Sequence, residues 1–165
     1  HGPVLSDNLG YYLDLYNTWS SYQPESKGVF IAYASIHGNT AYAAEQFAEM
    51  LRNKGVENVV ITDLSRCDIA EAVEDDRMVL AAASYDAGVF PIMQDFLHHL
   101  QAKAFQNRTV GLIENGSWAP TAAKTMRNIL ETMKNITIVE PVVTIKSVLK
   151  ETDIPALEQL ADAIK

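Results

Sequence analysis

A polar loop, Ser35-Ile36-His37-Gly38-Asn39-Thr40, separates two strongly patterned segments. Before it runs the apolar stretch Gly28-Val29-Phe30-Ile31-Ala32-Tyr33-Ala34. After it, Ala44, Phe47, Ala48 and Leu51 recur at i, i+3, i+4 and i+7. A loop between a buried strand and an amphipathic helix receives the first free N–H groups of that helix and the positive end of its dipole. Ser35, Asn39 and Thr40 add side-chain donors, and Gly38 lets the backbone come close to a ligand. The chemistry this suits is the holding of a phosphate. The loop contains no Lys or Arg, so neutral donors alone would do the holding. This argues against a nucleotide-hydrolysing P-loop, which needs Gly-Lys-Ser/Thr. Ordinary helix caps use the same residue types, so on this loop alone the two readings stay open.

Two further loops follow apolar runs: Ser84-Tyr85-Asp86-Ala87-Gly88-Val89-Phe90-Pro91 and Glu114-Asn115-Gly116-Ser117-Trp118-Ala119-Pro120. Each sets one large aromatic, Tyr85 or Trp118, among small or polar residues. Two aromatics on flanking loops can sandwich a planar ring, worth about 0.5–1.5 kcal/mol per pair beyond area burial. Backbone N–H groups around Gly88, Asn115 and Gly116 can bond the polar edge of such a ring. A phosphate loop with two aromatic walls describes a flat, phosphorylated cofactor, and flavin mononucleotide (FMN) fits that description best. The competing reading packs Tyr85 or Trp118 on a neighbouring helix.

The elements that must position these loops alternate regularly. Strands are expected at Val29–Ala34, Val59–Thr62, Met78–Ala83 and Thr109–Ile113, with a fifth inside Thr137–Ile145, interrupted by Pro141. Helices are expected from Thr40 to Lys54, over a short Ile69–Glu74 segment, from Pro91 through Leu100, from Pro120 to Lys134, and from about Asp153 onward. The first and third strands are continuously apolar, as in a parallel sheet covered on both faces. The expected fold is an α/β doubly wound three-layer sandwich with a five-stranded parallel sheet in the order 2-1-3-4-5. Ligands of such sheets sit beyond the C-terminal strand ends, where the three loops lie.

Residues 1–27 stand apart. Leu9, Tyr12, Leu13, Tyr16 and Trp19 share one helical face, so Asp7 to Ser20 reads as an amphipathic helix and Ser21–Lys27 as a linker. That face is expected to cap the domain formed by residues 28–165, or to belong to a junction with an upstream domain. The chain opens on His1 rather than Met, which suits a partial or processed chain.

Composition narrows the partners. With 21 acidic and 13 basic residues the net charge is −8, which disfavours nucleic acid and anionic membranes. No apolar run approaches membrane-span length, and no signal-like N-terminus is present. Cys67 is the single cysteine, so no internal disulfide forms and a reducing, cytoplasmic setting is expected. Cys67 reads as structural. His98 and His99 are adjacent on a helix and point about 100° apart, so they cannot chelate a metal from one face. Ser35 and Ser117 lack the His/Asp arrangement of a hydrolase triad. No catalytic residue and no metal site is assigned.

These motifs carry a resemblance. Gly38-Asn39-Thr40, Tyr85 with Gly88-Val89-Phe90-Pro91, and Ser117-Trp118 resemble the flavodoxin family, and within it the C-terminal flavodoxin-like domain of A-type flavoproteins, the flavodiiron proteins. His1-Gly2-Pro3 and Tyr12-Leu13-Asp14-Leu15-Tyr16 are similar to that family's junction after its metallo-β-lactamase-like domain. The resemblance implies that residues 1–27 are an extension and linker from such a domain, absent here along with its di-iron ligands. It implies FMN phosphate on Ser35, Ile36, His37, Gly38, Asn39 and Thr40, and the ring near Ser84, Tyr85, Asp86, Ala87, Gly88, Asn115, Gly116, Ser117 and Trp118. It implies an electron-transfer domain taking electrons from a rubredoxin-like donor and passing them to the di-iron centre of an oxygen or nitric oxide reductase. The chain departs from the family pattern at Ala83, where Pro is common, at Asp86-Ala87, where Asn-Asn is common, and at Glu114-Asn115-Gly116, where Gly-Ser-Tyr is usual. Asp86 and Glu114 beside a flavin would lower the potential of its second electron step. The alternative on the same fold is a stand-alone flavin-dependent NAD(P)H or quinone reductase. A receiver or dinucleotide module is disfavoured, because the first strand ends in Ala34-Ser35 without acidic residues and Gly-x-Gly-x-x-Gly is missing.

Overall fold

The computed structural model describes residues 2, 4–66 and 74–165. Cys67 and all but Glu74 of the short helix expected over Ile69–Glu74 lie outside the described residues. The elements are α1 (Leu9–Ser20), β1 (Ser26–Ala34), α2 (Asn39–Asn53), β2 (Val59–Asp63), β3 (Asp75–Tyr85), β4 (Gly88–Val89), α3 (Pro91–Ala102), β5 (Arg108–Asn115), α4 (Ala122–Leu130), β6 (Ile136–Ile138), β7 (Val143–Ile145) and α5 (Ile154–Ile164), the last preceded by a 3-10 turn at Glu151–Asp153. The sheet runs β2-β1-β3-β5-β6, and β7 continues the β6 position by also pairing with β5. All of these pairings are parallel. Taken as one broken strand, β6 and β7 complete the 2-1-3-4-5 order of a flavodoxin-like sandwich, with Pro141 in the break.

The unbroken apolar strands have a simple cause: both sheet faces are covered. Successive side chains of a strand point to opposite faces. Phe30, Ala32, Ala34, Met78, Leu80, Ala82 and Leu112 pack with Met93, Leu97 and Met126 of α3 and α4. Val29, Ile31, Val79, Ala81 and Ile113 pack with Phe47, Leu51, Leu157 and Leu160 of α2 and α5. Removing one of the fully buried large side chains, such as Phe47, would cost about 3–5 kcal/mol. Because β1, β3 and β5 are adjacent and parallel, their C-terminal ends, and the loops that follow, converge on one edge.

Two segments differ from expectation. The helix expected over 120–134 spans only Ala122–Leu130. At its far end the Thr132 hydroxyl donates to the Ile129 carbonyl at 2.6 Å, and Asn135 takes a left-handed conformation, which closes the chain into turns. The amphipathic helix α1 forms but buries none of its residues, so its aromatic face does not cap the domain. The linker after it is fastened. Tyr22 O accepts from Arg108 Nη1 and Asn107 Nδ2, both at 3.2 Å, and Glu74 O accepts from the N–H groups of Glu25 and Ser26.

Candidate functional site

At the end of β1 the chain enters α2 through Gly38, whose φ of 86° lies in the left-handed region that other residues adopt at a cost. The Ser35 hydroxyl accepts the Gly38 N–H at 3.0 Å and so closes the loop on itself. The first intrahelical bond runs from the Tyr42 N–H to Gly38 O, at 2.9 Å. That leaves the N–H groups of Asn39, Thr40 and Ala41 without a partner among the described residues, and no side chain there caps them. Thr40 is 3% exposed. Its hydroxyl makes no bond among the described residues and is not a buried orphan, so it reaches solvent. Ile36 and His37 are exposed in the loop itself.

The neighbouring helix on the same edge is the instructive contrast. At the start of α4 the Thr121 and Ala122 N–H groups both donate to Ser84 Oγ, at 2.9 and 3.1 Å. The Ala123 N–H donates to Glu114 Oε2 at 2.8 Å, a carboxylate at a helix N-terminus where the dipole favours it. One helix mouth is filled by a hydroxyl from β3 and a carboxylate from β5, while the other stands open with its donors free. An open mouth of neutral donors fits a phosphate dianion.

Both loop aromatics are exposed at the edge where the loops converge. Trp118 is 99% exposed and rests on no core side chain. Tyr85 is 51% exposed, its ring edge-on to Phe90 with centroids 5.9 Å apart. The reading that packs these aromatics on a helix does not hold for Trp118. The segment read as the second loop is a β-hairpin: Ser84 pairs with Val89 and Tyr85 with Gly88, antiparallel, around a two-residue turn. Asp86 (φ 47°) and Ala87 (φ 56°) both take positive φ there, the geometry of a type I′ turn. Asp86, Ala87, Ser117 and Trp118 are exposed, and Gly88 and Gly116 are half-buried.

Two residues expected at the ring, Ser84 and Asn115, and the neighbouring Glu114 use their side chains elsewhere. Ser84 is committed to the start of α4. The Asn115 amide grips the backbone of Ser147. Glu114, buried, also accepts from Thr144 Oγ1 at 2.8 Å, so both of its oxygens are held inside the protein. These bonds hold the loops together. Gly116 shows how tightly the second and third loops meet: a Cβ there would lie 2.9 Å from Ser84 Oγ and 3.0 Å from Pro120 Cα. Thr121, which the sequence reading passed over, ties the same loops together by donating to Gly88 O at 2.8 Å. Its position beside Pro120, at the start of a helical pattern, was the available signal.

The flavodoxin family model matches residues 31–158. The chain belongs to the flavodoxin family. The flavodoxin fold is an FMN-binding fold, and the three loops just described stand at its ligand edge. The chain is 27% identical over 139 residues to a protein of Synechocystis sp. described as diflavin flavoprotein A 4, an alignment covering 79% of this chain and 23% of that one. Among solved structures it is similar to the rubredoxin oxygen:oxidoreductase of Desulfovibrio gigas, with a TM-score of 0.87, 20% identity, and 96% of this chain matched to 40% of that one. The flavodiiron protein of Giardia intestinalis gives a TM-score of 0.77 at 18% identity, with 96% and 40% covered. A flavodoxin from the domain Archaea gives 0.70 at 20%, with 81% and 93% covered. The flavodoxin-family chain thus spans under half the length of its flavodiiron neighbours and under a quarter of the curated relative.

Proposed function

We propose that this flavodoxin-family chain is an FMN-binding electron-transfer module of a flavodiiron-type oxidoreductase. The open mouth of α2, beside two exposed aromatics on the adjoining strand ends, is the observation that carries the reading. The backbone N–H groups of Asn39, Thr40 and Ala41 and the Thr40 hydroxyl would hold the FMN phosphate, with Gly38 permitting close approach. Tyr85 and Trp118 would flank the ring, and the backbone of the Asp86-Ala87 turn and of Gly116 would meet its polar edge. FMN, once bound, supplies the redox chemistry; the chain fixes its position and shields it.

The rest of the reading concerns a longer protein. Residues 1–27 would be the junction from an upstream metallo-β-lactamase-like domain holding a di-iron centre, and residues 28–165 the flavodoxin-like domain. The electron donor would be rubredoxin-like. Support comes from the match of 96% of the chain to 40% of the Desulfovibrio gigas rubredoxin oxygen:oxidoreductase. No helix among the described residues is long and apolar enough to cross a membrane. The deciding experiment is reconstitution of the purified chain with FMN, followed by its visible spectrum and fluorescence. Saturable binding with quenched flavin emission is expected; a colourless protein after reconstitution would overturn the reading.

A further inference from the structure

The segment between α1 and β1 has the composition of a loose linker, with Ser21, Pro24 and Ser26 and no periodicity, yet its joints are fixed. α1 ends in a Schellman turn. The Gln23 N–H donates to Thr18 O at 3.0 Å and the Tyr22 N–H to Trp19 O at 3.0 Å, while Tyr22 takes the left-handed conformation at φ 56°. Glycine is usual at that position of the motif. A tyrosine there is strained, and such a conformation persists only where its surroundings hold it. Next in line, Pro24 has its φ fixed by its own ring. The Trp19 indole N–H closes the turn by donating to Glu25 Oε1.

The sheet supplies the surroundings that hold Tyr22. Arg108, the buried first residue of β5, donates from Nη1 to Tyr22 O at 3.2 Å and from Nε to Asp75 O, at the start of β3, at 2.8 Å. The same Nη1 reaches Gln106 O at 2.9 Å, and the guanidinium stands 5.6 Å from the centre of the Phe105 ring. A planar fork of donors can join a linker, one strand and the approach to another at once, where the single ammonium of a lysine cannot. Asn107 Nδ2 gives Tyr22 O a second donor at 3.2 Å. The chain is then held again. The Glu25 and Ser26 N–H groups both donate to Glu74 O, at 2.9 and 3.2 Å, and the Ser26 hydroxyl donates to the buried Asp75 carboxylate at 2.6 Å.

We infer that residues 21–26 form a rigid strut, pinned by Arg108, that sets the direction in which the last turn of α1 leaves the sheet. Exposure of α1 and rigidity of its attachment are separate facts. Leu15 and Thr18 are only half-buried and the rest of α1 is exposed, so packing contributes little and orientation rests on the bonds at Tyr22. The strut stands at the N-terminal ends of the parallel strands, opposite the three loops, and does not depend on FMN. Arg108 is a positioning residue: whatever α1 carries keeps one orientation to the ligand edge instead of swinging on a hinge.

The test is ¹⁵N relaxation and amide exchange on the isotope-labelled full chain. In the wild type the amides of Thr18, Trp19, Gln23 and Glu25 should have order parameters of about 0.85, the same as those of β1 and β3. Arg108→Lys keeps the charge but not the fork, and should drop these four amides below about 0.6 while Val79 and Ile113 stay protected from exchange. Asn107→Gly suits the left-handed φ of 59° at that position and removes one bond to Tyr22 and one from Asn135, so it should fall between the two. Wild-type values already below about 0.6 would show a hinge and overturn the inference. So would linker order unchanged in Arg108→Lys, or a sheet that loosens as much as the linker, because Arg108 would then serve general stability alone. Should Arg108→Lys not fold, the wild-type values and Asn107→Gly decide, and unchanged order in Asn107→Gly would count against the strut. FMN affinity, read separately by fluorescence, is expected to be the same in every folded variant, so a failure at the ligand edge is distinguishable from a failure here.

Discussion

Asn115 and Ser147 are joined twice: Asn115 Nδ2 donates to the Ser147 carbonyl at 2.8 Å, and Asn115 Oδ1 accepts the Ser147 N–H at 3.0 Å. The pair clasps the end of β5 to the segment leaving β7, with Ser147 itself in the left-handed region at φ 68°. Asn115 is buried, and its replacement by leucine would remove both bonds to the exposed Ser147 backbone. Asn115→Leu is expected to destabilise the protein by about 1–3 kcal/mol in urea unfolding and to weaken FMN binding by loosening the third loop. Unchanged stability would mean that the clasp is not held in solution.

Trp118→Ala tests the proposed ring wall without touching the core. A side chain 99% exposed contributes nothing to the core, so Trp118→Ala should change stability by less than about 0.5 kcal/mol. The same change should brighten bound flavin and lower FMN affinity, because the ring loses a stacking wall. Fluorescence titration measures both. Unaltered emission and affinity would remove Trp118 from the site.

How far the sequence revealed all this depends on how local each cause is. The sheet was readable because Val29–Ala34 and Met78–Ala83 are apolar at every position, a pattern that only burial on both faces demands. The open mouth of α2 was half readable. Its residue types suggested caps or phosphate donors equally, and only the structure shows that no side chain caps it. The commitment of Ser84 to α4 was not readable, since its partners Thr121 and Ala122 lie 37 and 38 positions away. The hairpin turn escaped because Ala87 is not a residue that type I′ turns favour. The α1 periodicity was correctly read as a helix, but periodicity does not say what, if anything, the apolar stripe covers.

The α2 mouth can be tested by removing one donor at a time. Asn39→Ala and Thr40→Ala should each weaken FMN binding, by about 1–3 kcal/mol for a charge-assisted contact, in a fluorescence titration. Thr40→Ser keeps the hydroxyl and should retain most of the affinity. Equal affinity across all three variants would place the phosphate elsewhere.

Acid should loosen the contact between α4 and the turn at 140–142. Arg127 Nη2 donates to Glu140 Oε1 at 2.6 Å and the Val142 N–H to Glu140 Oε2 at 3.0 Å. The Arg127 bond, then the Val142 bond, lower the Glu140 pKa below its ordinary 4.5. A carboxylate with a depressed folded pKa stabilises above its unfolded value and loses that contribution as pH falls through the folded one. Glu140 is largely exposed, so the contribution is within about 0.2–1 kcal/mol. Urea midpoints should therefore fall slightly more steeply below about pH 4.5 in the wild-type chain than in Glu140→Gln. Parallel pH profiles would show the pair to be without thermodynamic effect.

Ala87 offers the sharpest test of the hairpin. Its φ of 56° places a Cβ in the left-handed region, at a cost of roughly 1 kcal/mol that glycine does not bear. Aspartate, as at the neighbouring Asp86, tolerates the same region better than alanine as a residue type. Ala87→Gly should therefore stabilise the apo protein by about 0.5–1 kcal/mol, the strain relieved being partly offset by the greater freedom of glycine in the unfolded chain. The backbone that faces the expected ring edge would be preserved, so FMN affinity should change little. A loss of stability in urea unfolding would show that Ala87 does not take positive φ in solution, and that the second loop closes by another turn.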